Sequence, residues 1–125
     1  MVLAALADGN SILGNPLKSD DTEHMTSALR ELGVIGEPTQ EGYIRVEGYG
    51  AKFVEPDKTL FIGNSGTTVR FLTAASVYLP EDSSCVLDGS PRMRQRPIKD
   101  LIDAITPLGA KVESVENSGC PPVRV

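Results

Sequence analysis

The chain contains no tryptophan, one histidine, two cysteines, three tyrosines and three phenylalanines among its 125 residues. Each scarcity removes a class of chemistry. The single histidine, His24, falls among polar residues of a predicted helix, so no histidine-based triad can be assembled and the side chain reads as a solvated surface residue. Cys85 and Cys120 are too few and too far apart for a metal motif or a disulfide framework, and two reduced thiols are expected. No apolar run approaches the ~20 residues that span a bilayer, and Met1 to Ala7 lacks the basic flank and cleavage pattern of a leader. Cationic excess is missing too. With 17 acidic against 12 basic residues the net charge is -5, which excludes a general polyanion binder and nucleic acid as the main partner, while a local basic cluster can still hold a small anion. What remains is a 40% apolar chain that fits one domain with a core. It reads as soluble and cytoplasmic, or as part of a larger soluble protein.

Against this background, residues 59 to 71, TLFIGNSGTTVRF, stand out: an apolar strand, a glycine-rich turn and the start of an apolar helix in one run. Gly63 and Gly66 free the backbone where side chains would block approach, and Ser65, Thr67 and Thr68 can cap a helix running to about Leu79. N–H groups at such a helix start have no partner within the helix and, with the helix dipole, attract phosphate or carboxylate. The turn matches neither the Walker nor the dinucleotide fingerprint, so the local pattern alone leaves an ordinary capped turn equally open.

The remaining pattern predicts an α/β (α+β) chain. VLAALA begins as if a helix had been entered partway, and a truncated N-terminus is expected. Ser11 to Leu13 forms a short strand. Asp20 with Glu23 makes a capping box ahead of a helix carrying Met25, Ala28, Leu29 and Leu32 on one face and ending at Gly33. Asp20 and Asp21 serve that helix's cap and dipole. Strands follow at Val34 to Glu37 and Tyr43 to Glu47. From residue 58 the order is strand 59–62, helix 66–79, strand 84–87, helix 97–106, strand 110–115 and strand 122–125, a βαβαββ unit. Pro97 sits at the first position of its helix, with Ile98, Leu101, Ile102, Ile105 and Leu108 packing on a sheet and Pro107 distorting the last turn. The paired prolines 121 and 122 form a rigid entry into the last strand. ALRELGV at 28 to 34 resembles AITPLGA at 104 to 110, so two copies of one unit are expected: an incomplete one over 1–50 and a complete one over 58–125.

Downstream lies DGSPRMRQRPIKD, residues 88 to 100. Arg92, Arg94 and Arg96 alternate there, and an extended segment would send all three to one side. The planar fork of arginine suits phosphate or carboxylate. The turns after the first and second strands of such a unit can lie side by side, so the glycine turn and the arginine loop could converge. Arg70, one turn into the helix, either touches an anion or, the favoured reading, braces the turn by pairing with an acid such as Asp88 or Asp100.

LAALADG at 3 to 9, SDD at 19 to 21 with HM at 24 and 25, LFIGNSGTTVR at 60 to 70, LDGSPRMRQRPIKDLIDAI at 87 to 105, LGAKV at 108 to 112 and CPPVRV at 120 to 125 together resemble the 5-enolpyruvylshikimate-3-phosphate synthase family over the whole chain. The resemblance implies the enolpyruvyl transferase fold, with about one and a half of its repeated units present. It also implies transfer of the enolpyruvyl group of phosphoenolpyruvate to the 5-hydroxyl of shikimate 3-phosphate through a tetrahedral adduct, with release of phosphate and no metal or organic cofactor. In the family the residues matching Gly66 and Arg96 contact phosphoenolpyruvate and that matching Asn64 lines the same wall. Thr67 and Arg70 support the site, and the herbicide glyphosate occupies it. Where many members read GNAGTAMRP, this chain has Ser65, Thr68 and Phe71, changes that could alter inhibitor sensitivity. The family's GSKS-type segment, its Ser-Ser-Gln motif and its second domain with the acid-base residues have no counterpart in these residues. The resemblance therefore implies one wall of an active site, no catalytic residue in this chain, and an inactive fragment whose partners are the two substrates and the rest of the enzyme. The alternatives are a non-catalytic anion-binding module, or the UDP-N-acetylglucosamine carboxyvinyltransferase of the same fold, whose active-site loop cysteine neither Cys85 nor Cys120 matches.

Overall fold

Two small sheets, each with helices packed against it, are described over all residues 1–125 of a computed structural model. The first holds β1 (Asp8–Leu13), β2 (Ile35–Pro38) and β3 (Ile44–Tyr49) in the antiparallel order β1-β3-β2. The second holds β4 (Leu60–Phe61), β5 (Val86–Asp88), β6 (Glu113–Ser114) and β7 (Val123–Arg124) in the order β4-β5-β7-β6, with β4 parallel to β5 and the other pairs antiparallel. Apart from β4, the two orders are the same: β5-β7-β6 repeats β1-β3-β2. The helix after β1, α2 (Asp20–Glu31), matches the helix after β5, α4 (Lys99–Ile105). Both Leu-Gly helix ends place glycine in the left-handed region, Gly33 at φ +86° and Gly109 at φ +101°, where a side chain would be strained.

The second-sheet strands are shorter than their apolar runs, but the ladder continues past them: Ile62 N–H donates to the Asp88 carbonyl (2.8 Å), Cys85 and Val125 exchange two bonds (3.0 Å each), and Val115 N–H reaches the Pro122 carbonyl (2.8 Å). Along β3, Val46 is buried between exposed Arg45 and half-buried Glu47, as the alternation requires. The helix α1 (Val2–Leu6) packs on the first sheet, α3 (Gly66–Ala75) on the second and α2 on both, and one core of 14 buried residues joins the two halves, from Ala5, Met25 and Leu29 to Leu60, Leu72 and Leu87. A second cluster of five, Ile62, Val69, Met93, Ile98 and Val123, lies beneath the glycine turn and the arginine loop.

Four local expectations are corrected. The cap of α2 is Ser19, boxed with Thr22 rather than Asp20 with Glu23; Asp20, Asp21 and Glu23 occupy the first turn, where they complement the dipole. The helix from residue 66 is α-helical only to Ala75 and tightens into a 3₁₀ turn over Ser76–Tyr78. Helix α4 starts at Lys99, not Pro97, because the N–H groups of Ile98 and Lys99 both donate to the Gly119 carbonyl (2.8 and 3.1 Å), which anchors the helix start. Its predicted apolar face is only partly used: Ile98 is buried and Leu101 and Ile102 pack on the second cluster, but the 3₁₀ turn Thr106–Leu108 containing Pro107 swings Leu108 out to 84% exposure.

Candidate anion site

Because β4 and β5 run parallel, the segments leaving their C-terminal ends emerge side by side, the usual place for a ligand in an α/β layer. Those segments are the glycine turn and the arginine loop, and they do converge. Ser90 N–H donates to the Gly63 carbonyl (2.8 Å), and Arg96 Nη1 donates to the Asn64 carbonyl (2.9 Å). Two glycines make the approach possible. A Cβ on Gly89 would collide with the Gly63 carbonyl oxygen, and one on Gly66 would lie 2.5–2.8 Å from three atoms of the Arg96 guanidinium.

The turn ends in the expected capped helix. Ser65 is the N-cap of α3; its buried hydroxyl accepts from Thr68 N–H (3.2 Å) and donates to Thr68 Oγ1 (2.7 Å). Thr68, itself buried, donates to the Asp21 carbonyl on α2 (3.3 Å). The N–H groups of Gly66 and Thr67, the first two of the helix, have no protein partner. Of the five N–H donors an arginine carries, Arg96 commits one, to Asn64. The free donors thus converge from the helix start and from Arg96.

The three alternating arginines do not share a side. Met93–Gln95 is a 3₁₀ turn, not an extended segment, and Met93 is fully buried as its anchor. Arg94 turns away towards Glu116, with which it forms a looser ion pair (3.7 Å), and to Asp88, donating from Nε (3.0 Å) and Nη2 to its two carboxylate oxygens. These hydrogen bonds, then the attraction of the Asp88 charge, raise the Arg94 pKa further. Arg92 is exposed and does not line the cleft. Arg70 braces the turn as expected but through backbone rather than an acid: Nη1 donates to the Gly66 carbonyl (3.0 Å) and Nη2 to the Pro97 carbonyl (2.9 Å). Asp88 is already engaged by Arg94. Through Arg70 the helix start and the end of the arginine loop are tied together.

Asn64, Gly66, Thr67, Arg70 and Arg96 line one open cleft of about 650 Å³, together with Asp21, Phe71, Ala74 and Leu101. Asp21 was missed as a site residue because its place in the first turn of α2 explains it without a ligand; the SDD motif was the available signal. His24 is a second correction. It is half-buried, meets Phe61 edge-on (ring centroids 5.8 Å apart, planes at 75°) and lies against Gly63. Nothing in its polar sequence neighbours reveals that contact, which forms only when α2 docks on β4.

The fold recurs in known proteins. A solved structure of EPSP synthase from Acinetobacter baumannii matches 99% of the chain with a TM-score of 0.88 at 25% identity, and the chain covers 28% of it; a second, at 2.37 Å, gives 0.87 and 26%. These define the chain as a piece of enolpyruvyl transferase architecture. The model of the family "EPSP synthase (3-phosphoshikimate 1-carboxyvinyltransferase)" matches residues 1–125, and the chain belongs to this family of transferases. It is 44% identical over 131 residues to the "3-phosphoshikimate 1-carboxyvinyltransferase, chloroplastic" of Solanum lycopersicum and 44% identical over 128 residues to the 3-phosphoshikimate 1-carboxyvinyltransferase of Mannheimia haemolytica. Each alignment takes in the whole chain but only 25% and 30% of the relative's length.

Proposed function

We propose that the cleft is the phosphoenolpyruvate wall of a 3-phosphoshikimate 1-carboxyvinyltransferase, the enzyme that moves the enolpyruvyl group of phosphoenolpyruvate to the 5-hydroxyl of shikimate 3-phosphate. The observation that carries this reading is the convergence of unpartnered donors: Gly66 N–H, Thr67 N–H and the free edge of the Arg96 guanidinium all border one cleft. A helix start neutralises an anion through its dipole, and an arginine fork binds it in two parallel bonds, which together suit the phosphate and carboxylate of phosphoenolpyruvate. Asn64 lines the wall, while Thr67 and Arg70 support it. Glyphosate, as a competing anion, takes the same wall.

The roles of this chain are binding and orientation. It presents no candidate general acid or base within the wall other than Asp21, so the proton transfers of an addition–elimination reaction belong to other segments of an enzyme several times longer. We read residues 1–50 as an incomplete repeat and 58–125 as a complete βαβαββ unit, and expect the 125 residues alone to bind weakly and not to turn over, because a half-site loses both contacts and preorganisation. No helix is long and apolar enough to cross a membrane; a cytoplasmic location is the reading for a chain like the bacterial relatives, whereas the tomato relative's name places it in the chloroplast. The test is phosphate release from phosphoenolpyruvate with shikimate 3-phosphate. Turnover is expected when the chain is extended to the length of its relatives and absent in the chain alone; turnover by the 125 residues would overturn the reading.

A further inference from the structure

His24 stands outside every role assigned above, yet it touches the turn on which the site is built. It projects from α2, in the first half of the chain, and its imidazole lies over the Cα of Gly63: a Cβ there would fall 2.6 Å from Cδ2, 2.8 Å from Cε1 and closer still to Nε2. Neither ring nitrogen has a hydrogen-bond partner in the protein, so the contact is one of shape. Gly63 needs such a contact. It adopts φ +56°, in the left-handed region, where glycine is held only by its surroundings. On its other side the Gly63 carbonyl is fixed by Ser90 N–H (2.8 Å) and pressed by Gly89. The next peptide offers the Asn64 carbonyl to Arg96 (2.9 Å).

We propose that His24 is a positioning residue for the anion turn: its ring clamps Gly63 against the Ser90 loop, and through the Gly63–Asn64 peptides it sets where Arg96 points. The edge-on contact with Phe61 on β4 fixes the ring itself. Asp21 acts one helical turn away on the same face, its carbonyl holding Thr68, so α2 braces both ends of the turn, residue 63 by shape and residue 68 by a hydrogen bond. A site residue whose own geometry depends on a supporting shell loses function when that shell loosens. The binding part of this inference rests on the anion reading of the cleft; the positional part does not.

The experiment compares wild type with His24→Ala, His24→Gln and the ring-retaining His24→Phe by NMR on the 125-residue chain, without ligand and then with inorganic phosphate. Losing the ring is expected to move the Gly63, Asn64 and Ser90 amide signals and to speed exchange of the Arg96 guanidinium protons, whereas His24→Phe restores both. Phosphate affinity is expected to fall between about twofold and thirtyfold without the ring, the range by which residues outside a ligand's contacts modulate its binding, and to recover with Phe. Should His24→Ala fail to fold, His24→Gln decides. The proposal is overturned if ring loss lowers stability while the Arg96 and Gly63–Asn64 signals stay in place, or if His24→Phe disturbs them as much as His24→Ala. A wild type that binds no phosphate would refute the anion reading, and the ligand-free signals would still decide the role of His24.

Discussion

Replacing Gly66 by Ala probes the site more sharply than removing a charge, because the structure says what moves. The new Cβ would lie 2.5 Å from Arg96 Nη2, 2.7 Å from Cζ and 2.8 Å from Nη1, so its three nearest neighbours all belong to one flexible side chain. Gly66 is the first residue of α3 and does not have positive φ, so alanine suits its conformation, and the fold should be kept or slightly stabilised. The guanidinium, at the end of a flexible side chain, has to retreat by about 1 Å to reach an ordinary separation of roughly 3.5 Å. That retreat breaks its bond to the Asn64 carbonyl and turns its free edge away from the helix start. A charge-assisted hydrogen bond contributes about 1.5–3 kcal/mol, so losing one to the ligand weakens phosphoenolpyruvate binding about 10-fold to 150-fold. The assay is the initial slope of amide shift against phosphoenolpyruvate concentration, which stays measurable when saturation is out of reach. Because Gly66→Ala acts through Arg96, its effect should nearly vanish in an Arg96→Ala background. The reasoning is refuted if Gly66→Ala binds as wild type does, or if it costs as much without Arg96 as with it.

Other outcomes follow from neighbouring contacts. Arg96→Gln should abolish anion binding while Arg94→Gln, whose side chain is spent on Asp88 and Glu116, leaves it unchanged; equal losses in a phosphate titration would contradict the division of roles. Ser65→Ala removes a buried cap and should cost about 1–2 kcal/mol in urea unfolding. Burial raises the pKa of the Cys85 thiol, so the folded state holds that proton more tightly than the unfolded chain. This contribution is complete below the unfolded value of about 8.5 and is lost as pH rises from there through the higher folded value, at up to about 1.4 kcal/mol per pH unit. Cys85→Ala should flatten the fall in stability above about pH 8.5, and an unaltered slope would exclude Cys85 as its cause. Phe71, 56% exposed on the cleft wall, is expected to tune glyphosate against phosphoenolpyruvate, and inhibition constants for a full-length enzyme carrying Phe71→Pro or Ser65→Ala that equal those of its parent would rule this out.

What was legible in the sequence was whatever local chemistry decides. The βαβαββ order, the Ser65 cap and the left-handed Gly33 and Gly109 all follow from residues within one turn of each other. Convergence of the glycine turn with the arginine loop was also within reach, because parallel β4 and β5 leave it little alternative. Details set by contacts between distant segments were not legible. Arg94 was indistinguishable from Arg96 until Asp88 and Glu116 came within its reach. The partners of Arg70 are hidden in the sequence because the carbonyls of Gly66 and Pro97 carry no side-chain signal, whereas nearby acids do. Helix α4 began two residues late because Gly119, some twenty residues downstream, supplies its N-terminal acceptor. His24 looked solvated among polar neighbours, and only the docking of α2 on β4 brings its ring to Gly63.

The central claim is that the glycine turn and Arg96 form a preformed phosphoenolpyruvate wall. The most direct measurement is an amide and arginine side-chain NMR titration of the chain with phosphoenolpyruvate. The account predicts that Gly63 to Thr68 and the Arg96 guanidinium shift first and most, with Arg92 and Arg94 still. Largest shifts elsewhere, for instance in the groove between α2 and the β2–β3 hairpin that contains Lys18 and Arg30, would contradict it.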